Sequence, residues 1–425
     1  MASDRFCLSL LGRKLRLRIT AIAFLLCCAV YFYWNGVAQP STSPKHRPTA
    51  ISKTDLQTFA SHAVNNTVVI VPVNTGMLYL VKNMLCSLTK TSFNTSSIVF
   101  WALDKGAQTA LNREGFATYH DPSLFSVSSN ENVHGSTDNY YRMMRQRPQF
   151  FIDFLSTGYD ILMLDADIVF WQSPLLLVPQ AGVDMAYSTD AREFYTTHNA
   201  FKDPFRRGSL VPPVCNGLFW MKSSNDTIAL WSQMLSVFEA PWWRMGIYRA
   251  RVFQDDQRGM DVLLNDGRAR VVEPLPDGIT RDMIPQDRKH KAYLKVKLLD
   301  QTEVVNGQLY MFRQDVYEEN LAKIRASGRD RISAHMNWNP EIITKDDGAR
   351  KMKIFFLDDE DRSVEASKEM PAEASCRRRR NPRSTAVMLE CKMGDTYGSH
   401  YTSFCGPEAP MLDLNPRDKP QQSVS

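Results

Sequence analysis

The chain has 425 residues, with 51 Lys and Arg against 46 Asp and Glu, a formal charge of +5. That length accommodates one large catalytic domain with tails. The basic excess is small and local, gathered in residues 1–18 and in Arg377–Arg380, so no basic face of the kind that binds nucleic acid is indicated. The cysteines include no CxxC and no Cys/His pair at zinc spacing, which argues against a structural zinc site.

In chain order, residues 1–18 carry Arg5, Arg13, Lys14, Arg16 and Arg18 against the single acid Asp4. Ile19 to Trp34 is then free of charge and closes in the aromatic cluster Tyr31–Trp34. Basic flanks stay cytosolic and aromatic rings favour the bilayer interface. The expected organisation is a cytosolic tail over 1–18 and a signal-anchor transmembrane helix over 19–38. That makes a single-pass type II protein whose body is luminal, placed in the Golgi membrane. A cleaved signal peptide ending near Gly36-Val37-Ala38 is the alternative, and it also delivers the body to the lumen. Sequons at Asn65, Asn94 and Asn225 agree with that compartment. Up to two disulfides would form there among Cys86, Cys215, Cys376, Cys391 and Cys405. Residues 39–62 are rich in Pro, Ser and Thr and read as a stem.

Residues 63–360 read as an α/β domain. Val68 to Val73 is a β-branched run of the kind found in buried parallel strands. A turn at Asn74-Thr75-Gly76 leads to a helix over Met77–Leu88. Ile98–Leu103 repeats the strand signal and ends at Asp104. A helix over Tyr140–Leu155 precedes a strand over Tyr159–Leu164. This alternation predicts a doubly wound, Rossmann-like mixed sheet with its ligand site at the strand carboxyl ends. Residues 361–425 show little apolar periodicity and read as a loose tail. The Arg377–Arg380 run within it is a solvated loop or an anion site.

The motif that carries chemistry is Asp165-Ala166-Asp167, set in the apolar context YDILMLDADIVFWQSP over 159–174. Carboxylates in such surroundings need a compensating partner, and a divalent cation supplies one. Oxygen ligands suit Mn²⁺ or Mg²⁺. An extended backbone would put both side chains on one face, whereas a turn would let them take different partners.

The stretch from Pro148 to Pro174, with a basic residue before Pro, a helix, Gly-Tyr, an apolar strand, D-x-D, Trp and Pro, resembles the nucleotide-diphospho-sugar transferases of glycosyltransferase family 77. Further pieces fall in that family's order: residues 71–88, Cys215 to Met234, DDQRGMDVLL over 255–264, and AHMNW over 334–338. The resemblance implies a GT-A fold, retention of anomeric configuration, a divalent cation and a nucleotide-sugar donor, expected as UDP-linked. The acceptor would be a glycan or glycoprotein. It makes Asp165, Asp167 and His335 the metal ligands, although His335 alone reads equally as a structural histidine. Asp165 is also expected to meet the donor. Asn216 and Gly217 would approach the sugar, Gly217 by allowing close backbone approach; a plain β-turn is the other reading. Asp256 and Gln257 are the expected catalytic pair, with Asp255 more simply a helix-start carboxylate. Asp261 stands where the family often has Asn. Asn74, Thr75 and Asp104 lie at strand ends suited to the nucleotide, and Arg142 and Arg147 either neutralise phosphate or are ordinary surface arginines. Trp242-Trp243 would stack on an acceptor sugar or belong to the core. A catalytically inactive luminal protein that binds a glycan or a partner is the alternative. A two-metal phosphohydrolase is disfavoured, since only eight scattered histidines are present.

Overall fold

The computed structural model describes residues 24–27, 51–124, 138–195, 211–239, 255–284, 293–337 and 345–357. The chain divides into two compact units, 1–48 with 236–252 and 49–235 with 253–425. In the first, residues 24–27 are helical, with Phe24, Leu25 and Leu26 exposed. No helix among the described residues is long and apolar enough to cross a membrane. The rest of the expected anchor, residues 39–50 of the stem, Trp242-Trp243 and the tail from 361 onward lie outside the described residues.

The second unit carries the sheet. Ser52 opens helix α1 (Lys53–His62) with a capping box closed by Asp55. Strand β1 (Thr67–Val73) is buried except at Pro72, as its β-branched run requires. It pairs in parallel with β2 (Ile98–Ala102), matching Val69 to Ile98, and β2 pairs in parallel with β3 (Ala117–Tyr119). On its other side β1 pairs in parallel with β4 (Asp160–Leu164), matching Val68 to Ile161. Three strands follow in the chain: β5 (Ile168–Phe170), β6 (Met185–Thr189) and β7 (Val214–Met221). Two more, β8 (Ala269–Val271) and β9 (Leu294–Leu298), complete an eight-stranded sheet of order β3-β2-β1-β4-β7-β6-β9-β8.

Strand β7 is antiparallel to both β4 and β6, while β6, β9 and β8 pair in parallel. The predicted mixed sheet is therefore present. The reversal matters for the site, because it lays the first residues of β7 beside the carboxyl ends of β4 and β6.

A second sheet has the order β10-β11-β5, formed by β10 (Val304–Asn306) and β11 (Ser333–His335) with β5. Its antiparallel register matches His335 to Ile168. A histidine 168 residues downstream of the acidic motif is thus set next to it.

Helices flank the main sheet. A 3₁₀ turn at Thr75–Met77 leads into α2 (Leu78–Leu88), which buries most of its residues. Asp104 caps α3 (Lys105–Arg113). Helix α4 (Asp138–Leu155) carries an aromatic face: Phe150 stacks on Trp101 at 3.7 Å, and Phe151 lies 4.3 Å from Trp231 of α5 (Asn225–Glu239). Each such fully buried ring contributes about 1.5–3 kcal/mol by area. This packing holds the aromatic part of α4 against the sheet. Helix α6 (Asp256–Leu263) begins at an Asp255 cap, as expected for that residue, and Asp261 within it accepts from the Val214 amide at 2.7 Å. Helices α7 (Gly307–Phe312), α8 (Gln314–Ala326) and α9 (Lys345–Lys351) complete the described part.

Candidate active site

Asp165-Ala166-Asp167 forms the turn between β4 and β5. The turn alternative is the one realised, and the two carboxylates take different environments. The Asp165 side chain keeps 32% exposure and the Asp167 side chain 1%. His335 Nε2 lies 3.2 Å from Asp167 Oδ1 and 3.6 Å from Asp165 Oδ2. Backbone pairing sets this up: the Met336 amide donates to Asp167 O at 3.1 Å, and the Asp165 amide donates to Gly217 O at 2.7 Å. The second oxygen of Asp167 accepts from Lys345 Nζ at the start of α9.

Burial raises the Asp167 carboxyl, but Lys345 and His335 outweigh it and hold the group well below the ordinary carboxylate range. For His335, burial lowers the pKa. The Cys215 sulfur, the charge of Asp167 and the polar contacts with both aspartates more than reverse this and raise it well above the ordinary value. A divalent ion at the same place would hold the Asp167 carboxyl low as well, and would reverse the direction for His335, which ligates as the neutral imidazole.

Gly217 decides how close these groups come. A Cβ there would lie 2.3 Å from both Asp165 Oδ2 and His335 Cε1. The close approach foreseen for this glycine is made by the two side chains of the cluster itself. Two residues earlier on β7, Cys215 is buried and free, and its Sγ lies 3.4 Å from His335 Nδ1. Sulfur thus faces the ring nitrogen pointing away from the aspartates, leaving Nε2 toward them.

Behind the cluster runs a polar network. The Asn216 amide N donates to Gln257 Oε1 at 3.3 Å, and Gln257 Nε2 donates to Asp190 Oδ2 at 3.2 Å. Asn337 Nδ2 donates to Asp190 Oδ1 at 2.7 Å. Burial pushes Asp190 up to about 6 despite nearby His335 and Arg192. Asp256 is fully buried, and Arg147 Nη1 lies 3.3 Å from its Oδ2. Arg147 Nη2 also donates to Asn216 O at 3.2 Å. Arg147, expected on a phosphate, is therefore turned to Asp256 and the start of β7. Asp256 is pushed up to about 6 by burial, with Arg147 opposing and Asp255 and Asp165 adding to the rise.

A prediction follows for Arg147→Met. With a folded pKa near 6 against an ordinary 3.8, ionising Asp256 costs stability as pH rises through that window. Without Arg147 the folded value climbs further. The variant should lose roughly 3 kcal/mol at pH 8 and much less at pH 5, where Asp256 is protonated. Urea unfolding at the two pH values measures this; an equal loss at both would contradict the assignment.

Of the residues expected at the nucleotide, Asn74 is buried at the end of β1. Thr75 donates to Asp104 from its amide at 2.7 Å and from its hydroxyl at 2.5 Å. Asp104 Oδ1 also accepts from the Ala107 amide at 2.8 Å. The three share the carboxyl edge of β1 and β2, with Asp104 bracing Thr75. Arg142 lies on the first turns of α4, and its side chain is outside the described residues. The sequence singles out none of Lys345, Asp190 and Asn337, and it offers Cys215 only as a disulfide candidate, whereas that thiol is free and faces His335. Asn337 and Cys215 stand inside recognisable motifs, AHMNW and CNGLF, whereas Lys345 and Asp190 carry no local signal.

The donor set fits a divalent ion. Asp165, Asp167 and His335 each offer an atom within 4.8 Å of the others. Asp167 Oδ1 and His335 Nε2 are buried and make no well-formed hydrogen bond among the described residues. Two carboxylate oxygens and an imidazole suit Mn²⁺ or a similar ion. A mixed α/β sheet with such a cluster at the carboxyl ends of its parallel strands is the architecture of a ligand-binding α/β enzyme. Residues 94–351 match the family described as nucleotide-diphospho-sugar transferase, and the chain belongs to that family of glycosyltransferases.

The chain is also 24% identical to UDP-D-xylose:L-fucose alpha-1,3-D-xylosyltransferase 1 of Arabidopsis thaliana, over 61% of this chain and 72% of that one. A second Arabidopsis thaliana protein, UDP-D-xylose:L-fucose alpha-1,3-D-xylosyltransferase, is 24% identical over 59% of this chain and 70% of its own. Among solved structures, mouse xyloside xylosyltransferase 1 in its apo form aligns at TM-score 0.36 and 12% identity, covering 65% of this chain and 99% of that chain.

Proposed function

We propose that the chain is a retaining, divalent-cation-dependent glycosyltransferase that moves a sugar from a UDP-linked donor to a glycan or glycoprotein acceptor in the Golgi lumen. The observation that carries this reading is the Asp165–Asp167–His335 cluster, set at the strand carboxyl ends within the family-matched span. Mn²⁺ is the expected ion, and when bound there it supplies charge neutralisation to the departing nucleoside diphosphate. Asp165 meets the donor as well, a role that its greater exposure supports. Asn74 and Thr75 take the nucleoside end, with Asp104 holding Thr75 in place.

Asn216, Gln257 and Asp256 form the wall on the sugar side. The Gln257 side chain is tied at both ends, to the Asn216 amide and to Asp190, which suits positioning. Asp256, sequestered with Arg147, supplies negative potential toward an oxocarbenium-like centre in preference to direct attack. The donor is proposed to be a pentose, UDP-xylose first, because the Arabidopsis relatives carry that donor in their names.

The luminal setting is supported by Cys86, which is disulfide-bonded, since disulfides persist in oxidising compartments. Exposed asparagines at the sequon positions 65, 94 and 225 are compatible with it. The basic residues before the uncharged run Ile19–Trp34 support a type II anchor.

The test is a thermal-shift and product-release screen of UDP-xylose, UDP-galactose, UDP-glucose and UDP-arabinose with Mn²⁺. One donor should stabilise the protein by about 2.7 kcal/mol at a hundred times its dissociation constant. The same donor should yield UDP when the acceptor is present. Stabilisation by none of them removes the transferase reading. Stabilisation without turnover on any acceptor favours a non-catalytic glycan- or partner-binding protein.

A further inference from the structure

We infer that Lys345 is a built-in counter-ion of Asp167 that competes with the divalent cation, so that loading the metal requires the lysine to let go. This rests on the metal-dependent reading above. The Asp167 side chain is 1% exposed, and its two oxygens face different groups: Oδ1 faces His335 Nε2, and Oδ2 accepts from Lys345 Nζ. A buried carboxylate needs a positive partner. The protein supplies one from its own chain, at the very carboxylate that the cation would use.

Three features make Lys345 the movable member. Its side chain keeps 16% exposure, so it reaches Asp167 from the rim of the site. An ammonium on a flexible four-carbon stem swings away without any change in the backbone. Among the described residues its ammonium is paired with Asp167 alone. Asp167 is therefore what holds it. A cation within bonding distance of Asp167 repels the ammonium and takes its share of the carboxylate. The released ammonium then sits beside whatever anion the cation brings, and a donor diphosphate is that anion. Metal and nucleotide binding become coupled through one side chain.

The inference has a sign that a supporting role lacks. A lysine that merely oriented Asp167 for the cation would make metal binding weaker when removed. A competing lysine makes it tighter. Mn²⁺ affinity, measured on the full chain by electron paramagnetic resonance or calorimetry without donor, should rise about tenfold in Lys345→Gln. Added UDP should then tighten Mn²⁺ binding less in the variant than in the wild type. Lys345→Arg, which keeps the charge, should stay near wild type. Lys345→Met gives the same readout as the glutamine variant if the latter fails to fold, with circular dichroism as the check.

Unchanged or weaker Mn²⁺ binding in the folded neutral variants overturns the inference while leaving the transferase reading intact. An arginine variant that binds as tightly as the glutamine variant also overturns it. A wild-type chain that binds no Mn²⁺ at all overturns both readings.

Discussion

Asp167→Asn is expected to abolish detectable Mn²⁺ binding and to lower kcat/KM by about a thousandfold, as loss of a central electrostatic element in an excluded site does. The amide keeps the shape of the side chain but removes its charge. It leaves His335 and Lys345 facing a neutral group inside the fold. The variant should also lose stability at neutral pH, roughly 3 kcal/mol for a broken buried pair. The direction with pH is set by the depressed pKa of Asp167. Its contribution is present above the ordinary carboxylate value of 3.8 and disappears as pH falls through the lower folded value. Wild type and variant should therefore converge in stability under acid. Isothermal titration with Mn²⁺, steady-state rates and urea melts at several pH values supply the readouts. Full activity in a folded Asp167→Asn protein would remove this residue from the site.

Gly217→Ala is the second large effect, and it is expected through geometry alone. The added methyl would lie 2.3 Å from Asp165 Oδ2 and from His335 Cε1, and 2.9 Å from Asp165 Cγ. Contacts that short force both side chains to move. The turn holding Asp165 is pinned by the hydrogen bond that its amide donates to Gly217 O, so the adjustment falls on the positions of the ligands. Gly217 sits within β7, a strand in which alanine is conformationally admissible, so the backbone itself need not be disturbed. The expected outcome is a folded protein with activity down about a hundredfold, since misplacing reactive groups by an ångström costs on that order. Part of the loss should be recovered at high Mn²⁺, because the ligands remain present but spread. That recovery separates this variant from Asp167→Asn. A Gly217→Ala protein with wild-type Mn²⁺ affinity would show that the cluster relaxes freely.

Much of the fold was legible in the chain for local reasons. The β-branched run before Asn74 and the apolar run before Asp165 are short, continuous and bounded by turns, as buried strands are. Their observed limits, Thr67–Val73 and Asp160–Leu164, fall within two residues of those expected. The helix after the first strand, expected over Met77–Leu88, and the helix before the second, expected over Tyr140–Leu155, were readable in the same way. Arg147 shows where such reading stops. A basic residue near an acidic motif suggests a phosphate partner, but the aromatic face of α4 rotates it onto Asp256 and the Asn216 carbonyl. Lys345 shows the opposite failure: in sequence it is one charge in Lys-Asp-Asp, and only packing brings it to Asp167.

The sequence by itself determined that a carboxylate pair ends an apolar strand, and that a histidine and an Asn-Gly step stand downstream in a particular order. Those are matters of composition and spacing, which local propensity and burial energetics make readable. The tertiary structure decided what the pair does. The reversal of β7 brings Gly217 against the acidic turn, the β5–β11 register brings His335 beside it, and α9 delivers Lys345. These contacts join residues far apart in the chain. Their geometry follows from how strands pair and helices pack, and no local signal encodes it.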